Sequence, residues 1–236
     1  VSAPPLRLIR QHDTHRLIPS KYNPGLSSVL TRLADNDAHL QNLFTLESAT
    51  NERLWAENNW LPGIGNHELV FGIPNYRVIN AAFVHAHPLG SRFNGPDRGA
   101  WYAGFALETS QAEIVFHKAT EYNEIGRFED SITYDGYLAD FSGEFHDIRK
   151  ATEFRPVLDP GSYVKSQELG ERLLEAGSLG IVYPSVRHRG GTCLVCFRPA
   201  LVGHLRKHKT YRFTWEGHAV PKITVDGKRP RSVPQR

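Results

Sequence analysis

The chain contains no methionine, only two cysteines, and no apolar run approaching the roughly 18 residues a membrane-spanning helix needs. The opening VSAPPLRLIR carries no secretory apolar segment, so a soluble, cytoplasmic protein with no membrane contact is expected. With no Met even at position 1, the numbering is expected to start inside a longer chain. Cys193 and Cys196, in TCLVCFR, have no second CxxC to complete a metal site. On a strand, residues three apart point to opposite faces. Two reduced thiols on a half-buried strand are therefore expected, without a structural disulfide. A GxGxxG or P-loop phosphate cradle is lacking too, as are internal repeats and low-complexity tracts.

What is present is ordinary for a globular protein: 236 residues, 40% hydrophobic, 22% charged and 11% aromatic, enough for a sizeable core. From Leu26 to about Glu57, apolar residues at Leu26, Val29, Leu30, Leu33, Leu40, Leu43 and Phe44 keep helical spacing. Residues 1–65 thus read as an N-terminal helical extension, closed by the breaker WLPGIGN. From Glu68 the texture changes. ELVFGI, YRVINAAFV and WYAGFAL are rich in β-branched and aromatic residues and read as strands between the turns HPLGS and NGPDRG. SQAEIVFHKATEY places Ala112, Val115, Phe116 and Ala119 on one helical face. SITYDGYLADFSG then reads as strand, KSQELGERLLEAG as a helix ending on Gly177, and LGIVYP, TCLVCFRP and KTYRFTWEG as further strands. This irregular order predicts an α+β fold for residues 66–236, with mixed or antiparallel sheets and flanking helices.

Charge is uneven. Residues 203–236 hold nine Lys or Arg against Glu216 and Asp226, a balance of +7, so the first 202 residues sum to −4 given the total of +3. Such a segment can meet nucleic acid, but no reading helix or RNA-binding motif accompanies it, and a solvated surface is the expectation. His204 and His208 have the spacing of a metal pair. Arg206, Lys207 and Lys209 surround them and oppose a cation, so no metal is expected.

One stretch is chemically crowded: SRFNGPDRGAWYAGFALETSQAEIVFH, residues 91–117. Arg92 and Arg98 follow turns, where a guanidinium fork can grip phosphate oxygens. Trp101 and Tyr102 begin a strand and face opposite ways, which leaves Tyr102 as a stacking platform for a planar ring. Glu113 falls in the first turn of the next helix, whose positive end favours a carboxylate. A structural role competes: Ser110-Gln111-Ala112-Glu113 has the S-x-x-E form of a capping box.

Together with GIVYPSVRHRGGTCLVCFRP and YRFTWEG, this stretch resembles the RES-domain family, the toxin halves of bacterial toxin–antitoxin pairs, over about residues 70–217. The matching positions are Arg92-Phe93-Asn94, Tyr102, Glu113 and Ser185, with Tyr76-Arg77 fitting the family's earlier arginine best. Phe93 replaces the commoner Trp. The resemblance implies degradation of NAD⁺ by phosphorolysis or hydrolysis, on a fold similar to ADP-ribosyltransferases. NAD⁺ is then the substrate, with inorganic phosphate the co-substrate in the case of phosphorolysis, and no cofactor is expected. In this reading Glu113 stabilises the oxocarbenium-like sugar, Arg92 and Arg77 clamp the pyrophosphate or present phosphate, Tyr102 stacks on nicotinamide, and Ser185 hydrogen-bonds the nicotinamide ribose or amide, with Asn94 and Tyr76 beside the substrate. It also implies a small helix-turn-helix antitoxin over the cleft, and is compatible with a homo-oligomer. Residues 1–65 have no counterpart in the short toxins and would be a partner surface, a dimerising element or scaffold. An ADP-ribosyltransferase acting on a protein or nucleic acid is the nearest alternative. A non-enzymatic binding module using the basic segment is the other.

Overall fold

The computed structural model describes residues 3–22 and 63–226. Its backbone is a mixed seven-stranded sheet among the described residues, so the α+β expectation holds. The longest strand, β3 (Glu129–Asp147), organises the rest. Along one edge it pairs antiparallel with β1 (Leu6–Pro19), from Leu6 opposite His146 to Pro19 opposite Tyr134. Along the other it takes β6 (Gly203–Glu216) antiparallel, and near its end β4 (Gly180–Pro184) parallel. β4 pairs with β5 (Thr192–Cys196), β5 with β2 (Trp101–Gly104), and β2 returns to β1 where His15 meets Gly104. The pairings therefore close a ring of five strands, with β6 and β7 (Lys222–Val225) continuing outward. The close approach of β3 to β6 requires Gly136, where a Cβ would sit 2.8 Å from the Lys209 carbonyl oxygen.

Three findings differ from the sequence expectations. Residues 6–19, placed in a helical extension, form β1 instead. The strand is hard to see because Leu6 and Leu8 are exposed while the alternating Ile9 is buried, so apolarity does not mark one face. The helical spacing of residues 26–57 lies outside the described residues. YRVINAAFV, whose composition suits a strand, is the helix α1 (Tyr76–Val84). Ile79, Ala82 and Phe83, at i, i+3 and i+4, are buried on one face, and Asn80 and Val84 are buried beside them. ELVFGI is not a strand either. The Asn80 side chain accepts a hydrogen bond from Val70 N at 3.1 Å and donates to Val70 O at 2.8 Å, serving as the partner a sheet neighbour would supply.

Among the described residues the remaining α-helices are α2 (Leu107–Ile125) and α3 (Val164–Glu175), the latter followed by left-handed Gly177 as expected. The expected face of α2 is only half-buried, and its fully buried residues are Thr109, Ser110 and Tyr122. The strand TCLVC is buried on both faces rather than one. Leu194 and Cys196 join Phe83, Trp101 and Phe145 in one apolar cluster, while Cys193 and Val195 join Phe93, Leu169 and Ile181 in another. Both cysteines are free, and they do point to opposite sides. Among the described residues no helix is long and apolar enough to cross a membrane. The connection from β2 to α2 is short. It brings the helix against β1 and β2 and faces it toward the 185–191 loop between β4 and β5.

Candidate active site

Between α2 and the strand ring lies a cleft of about 500 Å³, lined by Arg16 of β1, Arg92, Tyr102 of β2, Glu113 and His117 of α2, and Cys193 of β5, among others. Glu113 lines it and does not cap the helix. α2 begins at Leu107 after Ala106, so Ser110 already lies inside the helix. Its hydroxyl donates to His15 O at 2.7 Å and accepts from Gly104 N at 3.1 Å, clamping helix to sheet. The capping box therefore does not form, and Glu113 sits in the second turn. Its Oε1 instead accepts a hydrogen bond from Ser185 Oγ at 2.9 Å, and the Cys193 thiol lies 3.8 Å from the same oxygen. Burial, and then the neighbouring Glu113 charge, push the Cys193 thiol up to about 12, which keeps it a neutral donor.

Ser185 is fully engaged. Beyond donating to Glu113, its oxygen accepts from Arg187 N at 3.2 Å and His188 N at 3.0 Å. Ser185 is not among the residues that line the cleft, and in this geometry it holds Glu113. Tyr102 is similarly anchored: its hydroxyl donates to Asn94 Oδ1 at 2.8 Å and accepts from Phe93 N at 2.9 Å. Burial raises the phenol well above its ordinary range, so it stays protonated. Asn94 uses its amide nitrogen on the carbonyls of Gly95 and Arg98, each at 2.8 Å, and so shapes the loop that presents Arg92. Arg92 is 7% exposed; its Nη1 donates to Asp159 O at 2.9 Å and its guanidinium lies 4.7 Å from the Tyr163 ring centre.

Not every expected residue reaches the cleft. Tyr76 and Arg77 occupy the first turn of α1, where Arg77 Nε contacts Tyr76 Oη at 3.3 Å, and neither lines the cavity. Arg98 faces away from it as well. It grips Glu68 with both ends of its fork at 2.8 and 2.9 Å, and donates to Gly63 O and Phe197 O. The cation that does reach the cleft beside Arg92 is Arg16, from the stretch read as helical. Its Nη1 donates to Tyr102 O at 3.1 Å, its guanidinium lies 4.6 Å from the Trp101 ring centre, and its buried Nε meets no partner among the described residues. Burial pulls Arg16 down to about 10, which leaves it charged at neutral pH. Among the described residues no group of three or more His, Cys, Asp or Glu is arranged to hold a metal ion.

This arrangement provides a carboxylate fixed at one oxygen by neutral donors, two guanidiniums along the walls and aromatic surface between them. It can set negative charge beside a developing cation while gripping an anionic group elsewhere on the same molecule. Compared with known proteins, residues 69–216 match the RES domain. No curated protein matches the chain. Among solved structures, a chain of the crystal structure of the M. tuberculosis MbcT-MbcA toxin-antitoxin complex is similar at 13% identity, covering 88% of this chain and 87% of that chain, with a TM-score of 0.47. With the RES domain spanning more than half of its length, the chain belongs to the RES-domain family.

Proposed function

We propose that the protein cleaves the nicotinamide–ribose bond of NAD⁺, as the toxin half of a toxin–antitoxin pair. The observation that carries this reading is the Ser185 hydrogen bond that fixes Glu113 in a cleft also lined by Arg16 and Arg92. It joins residues 72 apart in sequence, and leaves Glu113 Oε2 for substrate.

The chemistry needs little else. Nicotinamide departs with the electron pair of its C–N bond and becomes neutral, so leaving requires neither acid nor metal. The barrier lies in the oxocarbenium-like ribose left behind, which Glu113 stabilises by its charge. Arg16 and Arg92 hold the pyrophosphate, and Arg16 takes the role that the family resemblance gave to Arg77. The Tyr102 ring supplies a face for nicotinamide, its orientation fixed through Asn94. Water or inorganic phosphate then bonds to the ribose C1′, giving ADP-ribose or its 1-phosphate, respectively. The antitoxin would seat over the cleft mouth, where Leu89, 78% exposed, offers an apolar contact.

The test is nicotinamide release from NAD⁺ by purified, antitoxin-free protein, followed chromatographically with and without phosphate, beside Glu113→Gln. Release that needs phosphate and disappears in the variant supports phosphorolysis; phosphate-independent release supports hydrolysis. Release only when a protein or nucleic-acid acceptor is added, with ADP-ribose attached to it, moves the reading to an ADP-ribosyltransferase. A folded protein that releases none under any condition defeats it.

A further inference from the structure

α2 is tied to the 185–191 loop at two points one helical turn apart. At Glu113 the tie is the Ser185 hydroxyl, and at Thr109 it is His188, whose Nδ1 lies 3.0 Å from Thr109 Oγ1. Thr109 is 0% exposed, so its hydroxyl has no water to bond. A helical threonine ordinarily turns its hydroxyl back to the carbonyl four residues earlier. Here it meets the imidazole of another element. The two ties connect inside the loop, because the backbone N–H of His188 donates to Ser185 Oγ at 3.0 Å. The loop also closes on itself: Ser185 N donates to Gly191 O, and Gly191 N to His188 O, each at 2.9 Å. Gly191 permits the meeting, since a Cβ there would come within 2.7 Å of Thr109 Oγ1 and 2.9 Å of His188 Nδ1.

The consequence lies in the Ser185 hydroxyl. Two backbone N–H groups, from Arg187 and His188, occupy its two acceptor directions. Its own proton is then left one way to point, at Glu113 Oε1. We propose that His188, held by Thr109, is a positioning residue that fixes Ser185 and through it the Glu113 carboxylate. This rests on the reading of Glu113 as the catalytic group. The circuit from Thr109 through His188 and Ser185 to Glu113 begins and ends on α2, so the helix that carries the carboxylate also sets the loop that aims it.

The experiment uses Thr109→Val, which keeps the shape and removes the hydroxyl, His188→Ala, their combination, and Thr109→Ser as the conservative variant. Loosening a reacting group by about 1 Å costs on the order of 10²-fold, so kcat for nicotinamide release is expected to fall by about that factor in each single variant. KM for NAD⁺ changes by less than about threefold, because no substrate contact is removed. The double variant is no worse than the singles, as one circuit is broken only once. Thr109→Ser restores most of kcat. A second readout needs no turnover: the ¹³C resonance of the Glu113 carboxyl at neutral pH, identified by its loss in Glu113→Gln. It is expected to move in Thr109→Val and in His188→Ala as the Ser185 hydrogen bond loosens. Folded variants with unchanged kcat and an unmoved carboxyl resonance overturn the proposal. If wild type releases no nicotinamide, the NAD⁺ reading fails, and the resonance alone decides whether His188 positions Glu113. If Thr109→Val melts below the assay temperature, His188→Ala, altering a half-buried loop side chain, carries the same comparison.

Discussion

Glu68 and Glu113 are both carboxylates set near arginines. Glu68 uses one oxygen on Arg98 Nη1 at 2.8 Å and the other on Arg98 Nη2 and Arg198 Nη1, each at 2.9 Å. Glu113 makes no ion pair with a Lys, Arg or His among the described residues and is held by a neutral hydroxyl and a neutral thiol. The Arg98 hydrogen bonds, against opposing burial, pull the Glu68 carboxyl down to about 2. Its charge is consumed in joining the segment after residue 62 to the β2 and β5 ends. The cleft keeps its charges apart, with Arg92 and Arg16 each fastened to a backbone carbonyl rather than to Glu113. A neutralised cluster holds structure together, whereas separated charges on rigid mounts remain available to a substrate of mixed charge.

Swapping the amide for the acid at each position should divide these roles. Glu113→Gln is expected to lower nicotinamide release by on the order of 10²- to 10³-fold. The melting temperature should stay within about 2 °C, since glutamine still accepts the Ser185 bond. Glu68→Gln should do the opposite. It leaves two guanidiniums facing a neutral group, and is expected to cost about 3 kcal/mol in urea unfolding while turnover per folded molecule is kept. Equal losses of both properties in both variants would break the comparison. Arg92→Lys tests the cleft wall more gently. A point charge replaces a fork, so KM for NAD⁺ should rise on the order of tenfold with kcat less affected. An unchanged KM would remove Arg92 from the substrate site.

The same contrast explains what the sequence made legible. Glu113, Tyr102 and Arg92, named from the family resemblance, all line one cleft, and Ser185 bonds Glu113 from the loop after β4. Arg98 sits in the same motif, yet its partner Glu68 is 30 residues away and nothing local marks the pairing. The capping box was a sound local pattern. It failed because the helix starts three residues earlier, at Leu107, and Ser110 bonds β1 and β2 instead. Arg16 was missed for a related reason: β1 is fixed by pairing with β3 more than a hundred residues on, and its own alternation is blurred by exposed Leu6 and Leu8. YRVINAAFV misled by composition, since valine and isoleucine favour strands while Ile79, Ala82 and Phe83 carry the helical period. Tertiary partners, not local preference, decided each of these cases.

The smallest effect is one of pH, and it separates the two regions by where stability is lost. Burial first, and then nearby His208, lower the His15 imidazole below its ordinary 6.5. A group depressed in the folded state binds its proton more readily when unfolded, so its contribution is complete above about pH 6.5 and declines as the pH falls from there. Glu68 is also depressed, but from 4.5 to about 2, so its contribution persists until the pH drops below about 4.5. Asp140, where burial is outweighed by hydrogen bonds from Asp13 N, His12 and His204 and by Arg206, goes from 3.8 to about 2 and follows the same course. Between about pH 7 and about pH 5, then, the wall of the cleft that His15 lines should weaken while the Glu68 cluster is unaffected. Urea unfolding across that window should show a modest decline in wild type and a flatter line in His15→Gln, with both falling together in stronger acid. Parallel slopes in the two proteins would show that the decline begins elsewhere, as at His117, which lines the same cleft and which burial also lowers.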